Sequence, residues 1–245
     1  MNKLGQKGSK AIAQTVRHNL TDVVYDALHE AVQEGTLKPG QRVRETEIGD
    51  WLKVSRTPVR EAMRRLQSEG IIEPKEGGLA VTSFDMRAVA ELYDVRQTLE
   101  GTAAALAAQC ADSTELALLQ SMLDAQRQCP TDARAQARLN KNFHKQLYQA
   151  AHNRFLLKAL QVLRDSLVLL GPTTLMIPER IAAAIAEHSE IIAAIVAQDA
   201  PRAEAAARDH IRAGYEARVR AMAEQLQEST HSVSWPDLRA TVVSQ

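Results

Sequence analysis

The segment from Val54 to Leu66 constrains the fold of this chain more than any other. Val59, Ala62, Met63 and Leu66 recur at helical spacing and make an apolar stripe fit to pack on a small core. Arg56, Arg60 and Arg64 recur every four residues, so their side chains stack along a different face. Ser55 stands at the N-cap position, and Pro58 falls in the first turn, where its missing N–H matters little. Like charges at i,i+4 repel, so a three-arginine face has few stable partners within its own fold. It suits the phosphates and guanine edges of a DNA major groove. A solvated helix face is the alternative reading of the same three residues.

The flanking sequence favours the groove. Gly40 to Arg44 reads as a turn into a short extended stretch, and Glu45 to Leu52 as a short helix with Ile48, Trp51 and Leu52 as its apolar positions. Lys53-Val54-Ser55 is a tight connection into the arginine helix. Helix, short turn, helix lets the first helix cross the DNA backbone while the second enters the groove. Gly70 sits where a helix C-cap is wanted. Beyond it, Ile71-Ile72-Glu73 and Leu79 to Thr82 are β-prone runs separated by Pro74 to Gly78, which predicts a hairpin, or wing.

These residues carry a resemblance. Leu37-Lys38-Pro39-Gly40, Glu45 to Ile48, Val54 to Ala62, Leu66 and Gly70-Ile71-Ile72 resemble the winged-helix domain of GntR-family transcriptional regulators, over residues 17–83 in order. The resemblance implies that Arg56, Thr57 and Arg60 are the main operator-contacting side chains, supported by Arg44, Thr46, Ser55 and Gly77. Position 46 often carries a longer polar or basic residue in that family, and Thr46 departs from the pattern.

Charge agrees with a focused interface. The chain of 245 residues has 30 Lys and Arg against 30 Asp and Glu, which argues against indiscriminate nucleic-acid binding. From Lys53 to Arg65, five cations (Lys53, Arg56, Arg60, Arg64, Arg65) stand against Glu61, a local surplus of four. No apolar run is long enough to span a membrane, no signal-peptide pattern begins the chain, and Cys110 and Cys129 lack metal or redox spacing. A cytoplasmic location with free thiols is the expectation.

From Phe84 onward the pattern is helix after helix. Helices are expected near 85–111, 113–128, 131–152, 153–170, 177–198 and 200–228, broken at Asp112-Ser113, Pro130-Thr131, His152-Asn153, Gly171-Pro172 and Asp199 to Pro201. The fold class is therefore mainly α: a winged helix-turn-helix followed by an all-α six-helix bundle. The expected divisions are a flexible arm at 1–16, the winged helix-turn-helix at 17–83, a helical effector-binding and dimerisation domain at 84–228, and a tail at 229–245.

Three histidines of the second domain fall on inward stripes of three different helices. His144 lies with Ala137, Asn140, Leu147 and Ala151. His188 lies with Ile181, Ala184, Ile191 and Ile195, and His210 with Ala203, Ala207 and Gly214. A single inward histidine is usually a satisfied core residue. Three uncompensated ones would each cost about 1–3 kcal/mol, a penalty relieved if they converge on one ion or polar ligand. No Asp or Glu shares those stripes, and Glu187 and Asp209 are expected to point about 100° away from the neighbouring histidines.

Leu92 to Glu100, Asn140 to His144, His152-Asn153, Glu187-His188, Asp199 and Asp209-His210 are similar to the FCD ligand-binding domain of the FadR subfamily. The six-helix count places the resemblance nearer its VanR-like branch. The resemblance implies a divalent metal, zinc with nickel or manganese as alternatives, held by Asn140, His144, His188 and His210. Asn140 stands where that family most often has aspartate. It implies a small organic-acid effector at or near the metal, contacted by the same four residues, and Arg96, on an inward-capable position of the first bundle helix, is a candidate for a second carboxylate contact. For Arg96, an ion pair with a glutamate such as Glu100 is an equal alternative. Asn153 is expected to cap the helix that follows it.

The implied whole is a homodimeric regulator, a repressor in sense, on a palindromic double-stranded DNA operator. Two other classes stay open: a metal-dependent enzyme built on the histidine bundle, and a DNA-binding protein whose helical domain only dimerises. The residues do not identify the effector or the controlled genes.

Overall fold

The computed structural model describes residues 20–129, 132–171 and 173–231. The expected N-terminal arm, the Thr131 cap and the tail beyond residue 231 lie outside them.

The first part of the chain is a small helical layer with a three-stranded wing. Helix α1 spans 20–33, and strand β1 (Arg42–Val43) leads into α2 (Glu45–Leu52) and α3 (Arg56–Ser68). The turn between α2 and α3 is held by Gly49. Lys53 takes a left-handed conformation, φ 54°, and its N–H and that of Val54 both donate to the Gly49 carbonyl. A Cβ on Gly49 would lie 3.1 Å from the Val54 carbonyl oxygen, so a side chain there would press on the turn.

At the far end of α3, Gly70 has φ +74°. Its N–H donates to the Gln67 carbonyl, and the Ile71 N–H donates to that of Leu66 at 2.9 Å, a Schellman closure. The chain then turns into β2 (Ile72–Lys75) and β3 (Gly78–Val81), and the antiparallel sheet has order β1-β3-β2. Ile72 pairs with Val81 and Arg42 with Ala80. At the hairpin tip Gly77 has φ +84°, and the Arg42 guanidinium donates to the Glu76 carbonyl at 2.7 Å.

Val24, Leu28, Val59, Met63, Leu66, Ile71 and Val81 close the core of this unit. Ile48 joins them, but Trp51, expected to be apolar inside, is 50% exposed. The inner face of α2 is centred on Ile48, Gly49 and Leu52, and Trp51 lies about 100° round the helix from it.

Six α-helices follow among the described residues: α4 (Met86–Cys110), α5 (Ser113–Gln128), α6 (Ala133–Ala150), α7 (Arg154–Leu167), α8 (Pro178–Val196) and α9 (Ala200–His231). Short 3-10 turns, Val168–Leu170 and Thr174–Met176, separate α7 from α8. Cap chemistry sets several starts. Asp112 and Glu115 form a reciprocal capping box on α5, Asp132 accepts from the Ala135 N–H, and Asn153 accepts from the N–H groups of Phe155 and Leu156.

Helices α4 and α9 pack closely because α4 is alanine-rich and carries Gly101. A Cβ there would come within 2.9 Å of the Arg208 side chain. Ala103, Ala104, Ala107, Leu119, Phe143, Leu147, Ile191 and Ile195 fill the bundle. Val168 and Leu169 do not join it. They are buried in the core of the winged-helix unit, so the two units share packed side chains.

Gly70→Ala tests the Schellman closure in isolation, because nothing lies within 4 Å of the added methyl. The left-handed conformation alone should cost about 1–2 kcal/mol of stability in urea denaturation. Gly70→Asn should lose less, since asparagine tolerates that region.

Candidate functional site

Two groups of side chains stand out. The first lies on the outer face of α3. Arg56, Thr57, Arg60 and Arg64 are all exposed, as are Ser55, Arg44, Thr46 and Gly77, while Val59, Ala62, Met63 and Leu66 point inward. Ser55 is the N-cap residue by position, with no side-chain capping bond, so its hydroxyl is not tied to the helix.

The arginines are not equivalent. Arg60 does have a partner within the fold, contrary to the expectation from like-charge spacing: Nε and Nη2 both donate to Glu45 of α2 at 2.9 Å. The reason is the neighbouring helix, whose first turn brings a carboxylate across the α3 face. Arg44 pairs with Glu47 at 3.0 Å. Arg65 serves the fold, with its guanidinium 3.7 Å over the Tyr25 ring and in ion pairs with Glu69 and Asp22. Arg56 and Arg64 have no side-chain hydrogen bond or ion pair among the described residues.

The second group is the histidine cluster. His144 of α6, His188 of α8 and His210 of α9 are all buried, and one candidate ligand nitrogen from each lies within 4.8 Å of the others. The ring centroids are 4.6 to 5.4 Å apart, and Phe143 stacks on His188 at 4.0 Å. One α6 turn before His144, Asn140 lines the cavity that opens from the cluster.

Each Nδ1 faces an acceptor from another element or turn. His188 Nδ1 meets the Gln126 side-chain oxygen at 2.9 Å, and His210 Nδ1 meets Glu187 Oε2 at 2.6 Å. His144 Nδ1 lies 2.9 Å from Glu100 Oε2, at ion-pair distance but off the line of a good hydrogen bond. For His188 and His210 these partners favour the proton on Nδ1 and a lone pair on Nε2. His144 Nε2 and His210 Nε2 then face each other at 3.2 Å, and His188 Nε2 is buried with no partner. The His144–His210 contact is a hydrogen bond if one ring carries its proton on Nε2, and a seat for a cation if both lone pairs turn inward. Burial first, then the neighbouring histidines and Arg180, pushes His188 and His210 well below the ordinary imidazole range, so both are neutral near pH 7.

The sequence reading missed the carboxylates. Glu100, 2% exposed, sits between Arg96 and His144. Burial alone would raise its carboxyl, but Arg96, His144 and Tyr148 outweigh it and hold the group well below the usual range. Glu187 does not point away as expected. Its long side chain curls back to His210 and to Arg180, whose two terminal nitrogens it accepts at 2.9 and 2.7 Å. A helical wheel describes where a side chain leaves the helix, and a glutamate reaches well past that direction. Arg96 makes the ion pair with Glu100, Nε to Oε1 2.9 Å, with its guanidinium 4.9 Å from the Tyr93 ring centroid. Arg180, buried and with an unpartnered Nε, had no signal in the sequence beyond its charge.

A cavity of about 610 Å³ opens from His144 and His210. Arg96, Asn140 and Arg180 line it on the bundle side, and His29, Glu30 and Gln33 of α1 line it on the other.

With this geometry in hand, comparison with known proteins places the chain. Residues 91–213 match the FCD domain, and residues 20–79 match the gntR family of bacterial regulatory proteins. The chain is 35% identical over 145 residues to an uncharacterized HTH-type transcriptional regulator, YdhC, of Bacillus subtilis. That match takes in 58% of this chain and 65% of that one, so the chain spans just under two thirds of YdhC. It is 31% identical over 201 residues to a probable D-xylose utilization operon transcriptional repressor of Paenarthrobacter nicotinovorans, covering 80% of this chain and 88% of that protein. The solved structure of E. coli McbR/YncC superposes with a TM-score of 0.65 at 26% identity, covering 86% of this chain and 98% of that one. This chain belongs to the GntR family of bacterial regulators and carries an FCD domain. These relatives bear the names of regulators, not of enzymes. No helix among the described residues is long and apolar enough to cross a membrane.

Removing one partner of a buried ion pair strands the other charge. Arg96→Met should therefore destabilise the protein by about 3–5 kcal/mol in denaturant unfolding. Glu45→Gln, which unpairs the exposed Arg60, should leave stability almost unchanged.

Proposed function

We propose that the protein is a DNA-binding transcriptional regulator whose affinity for its operator is set by an organic acid bound beside a divalent metal in the helical domain. The observation that carries this reading is the cavity. One end is lined by His144 and His210, with His188 buried behind them in the same cluster, and the other by the first helix of the DNA-binding unit.

The donor set fits a borderline divalent ion such as zinc, with nickel and manganese as alternatives. His144, His188 and His210 would hold it, and Asn140, which lines the same cavity one turn before His144, would add a neutral oxygen. Such an ion supplies positive charge and open positions for an anionic oxygen. The chain's own groups do the rest. Gln126 and Glu187 favour the proton on Nδ1 of His188 and His210, and Arg180 presents a guanidinium at the cavity wall. An enzyme reading lacks a free base here: Glu100 is committed to Arg96 and His144, and Glu187 to Arg180 and His210.

Control of DNA binding requires that the cavity communicate with α3, and the 3-10 turn after α7 offers the route. Leu167, Val168, Leu170 and Gly171 line the cavity, while Val168 and Leu169 are part of the winged-helix core. A ligand that shifts this wall acts on the packing of α1, against which α3 is tied through Arg65 and Tyr25. On the DNA side, Arg56 and Thr57 enter the groove with Arg60 and Arg64, backed by Ser55, Arg44, Thr46 and the wing at Gly77. Arg60 exchanges Glu45 for DNA. The operator is a palindrome read by a homodimer, because one helix-turn-helix reads too few base pairs alone. Phe155 and Val162, 67% and 69% exposed and two turns apart on α7, are the apolar surface for that contact.

Three outcomes test this reading. Arg56→Ala should weaken binding to a palindromic site selected from random DNA by roughly 5- to 150-fold, leaving nonspecific binding much less affected. Equal loss on both would reduce Arg56 to a phosphate contact. Alanine at His144, His188 or His210 should abolish stoichiometric metal in elemental analysis while basal DNA binding persists, and Asn140→Asp should tighten the metal. Val162→Glu with Phe155→Glu should yield monomers in sedimentation, and intact dimers would move the interface elsewhere.

A further inference from the structure

The cavity holds a second charged region that the metal reading does not use. Arg134, Arg138 and Lys141 of α6 and Arg164 of α7 line it together with His144 and Arg180. None of these four has a side-chain hydrogen bond or ion pair among the described residues. Arg134, Arg138 and Lys141 fall at helical spacing on one wall, where like charges repel each other. At about 1.5 Å of rise per residue, Arg138 lies roughly 9 Å along the axis from His144.

Across the cavity the sign reverses. Glu30 near the end of α1 and Glu34 in the turn just beyond it, whose N–H donates to the Glu30 carbonyl, line the wall contributed by the DNA-binding unit and are not paired with the α6 cations. Lys141 lies close enough to α1 for its charge to act on His29. Asp165, the remaining acid of the lining, accepts from Gln161. Arg96 and Arg180 are paired with Glu100 and Glu187, whereas the α6 cations and Arg164 have no such ion pair for an incoming anion to displace. A volume of about 610 Å³ is also far more than a two-carbon acid fills, and sits within the usual range for sizeable ligands. At the histidine end, the Nε of buried Arg180 has no partner and can donate to an acceptor there.

We propose that the effector is an acid with two anionic ends. One end lies at the histidine cluster and Arg180, and the other lies on Arg138 and Lys141, taken in competition with Glu30 and Glu34 of the winged-helix unit. This rests on the effector reading above and adds to it a ligand class and a direction for the coupling. An anion on the α6 wall neutralises the charge that attracts α1, so the diacid loosens the hold of the helical domain on the DNA-binding unit.

The test uses adipate and hexanoate, matched in chain length and differing in the second carboxylate, titrated calorimetrically into zinc-treated full-length protein with its zinc content measured. Adipate should bind at least about tenfold more tightly than hexanoate, the equivalent of one charge-assisted hydrogen bond. Arg138→Ala with Lys141→Ala should erase that preference without changing zinc content or hexanoate affinity. Glu30→Gln with Glu34→Gln should do the opposite and strengthen adipate alone, an effect that simple disruption of the fold would not give. Adipate binding no tighter than hexanoate, including no binding of either, overturns the proposal, as does a preference untouched by both double variants. Adipate binding that depends on Arg138 and Lys141 in protein that takes up no zinc would support the subsite while removing the metal reading.

Discussion

The constraint on which the rest of this structure turns is the burial of three imidazoles at one point. A neutral histidine brings one donor and one acceptor, and both must be satisfied where water is excluded. Here His188 and His210 meet Gln126 and Glu187 through Nδ1, and His144 Nδ1 lies at ion-pair distance from Glu100, each partner from a different helix. His144 Nε2 and His210 Nε2 face each other at 3.2 Å, and His188 Nε2 has no partner. That arrangement ties α4, α5, α6, α8 and α9 to a common centre.

The carboxylates extend the constraint outward. Glu100 can be charged at 2% exposure only because Arg96 and His144 flank it, and Arg96 in turn packs by Tyr93 against the cavity. Glu187 links His210 to Arg180 in the same way. Polar networks of this kind are costly when partly satisfied, which is why the cluster, its acceptors and its arginines act as one object. The cavity that adjoins it ends on a turn, Val168–Leu170, whose first two side chains belong to the core of the other unit. Any change in the occupancy of the cavity is therefore mechanically close to the DNA-reading helix.

Much of this was legible in the sequence, for identifiable reasons. The helix-turn-helix announces itself through local chemistry: the apolar stripe of α3, Gly70 at the C-cap and the glycines of the wing each have a single sensible reading. The inward positions of His144, His188 and His210 followed from periodicity, and Asn153 from cap chemistry. Long-range pairings were not legible. Nothing local says that Glu45 will cross to Arg60, or that Glu100 will reach a histidine 44 positions away. Glu187 was misjudged because its direction on the wheel was taken for its reach. Trp51 was misjudged because hydrophobicity was weighed above its place at the edge of the α2 inner face. The opposed charges on α6 and α1 could not be seen at all until the two units were placed together.

In the proposed regulator the three Nε2 atoms share one ion. X-ray absorption at the metal edge of the loaded protein reads that directly. Three imidazole nitrogens at about 2.0–2.1 Å, with the remaining positions filled by oxygen, is the predicted result for zinc. A shell with fewer than three imidazoles, or one containing cysteine sulfur, would contradict it.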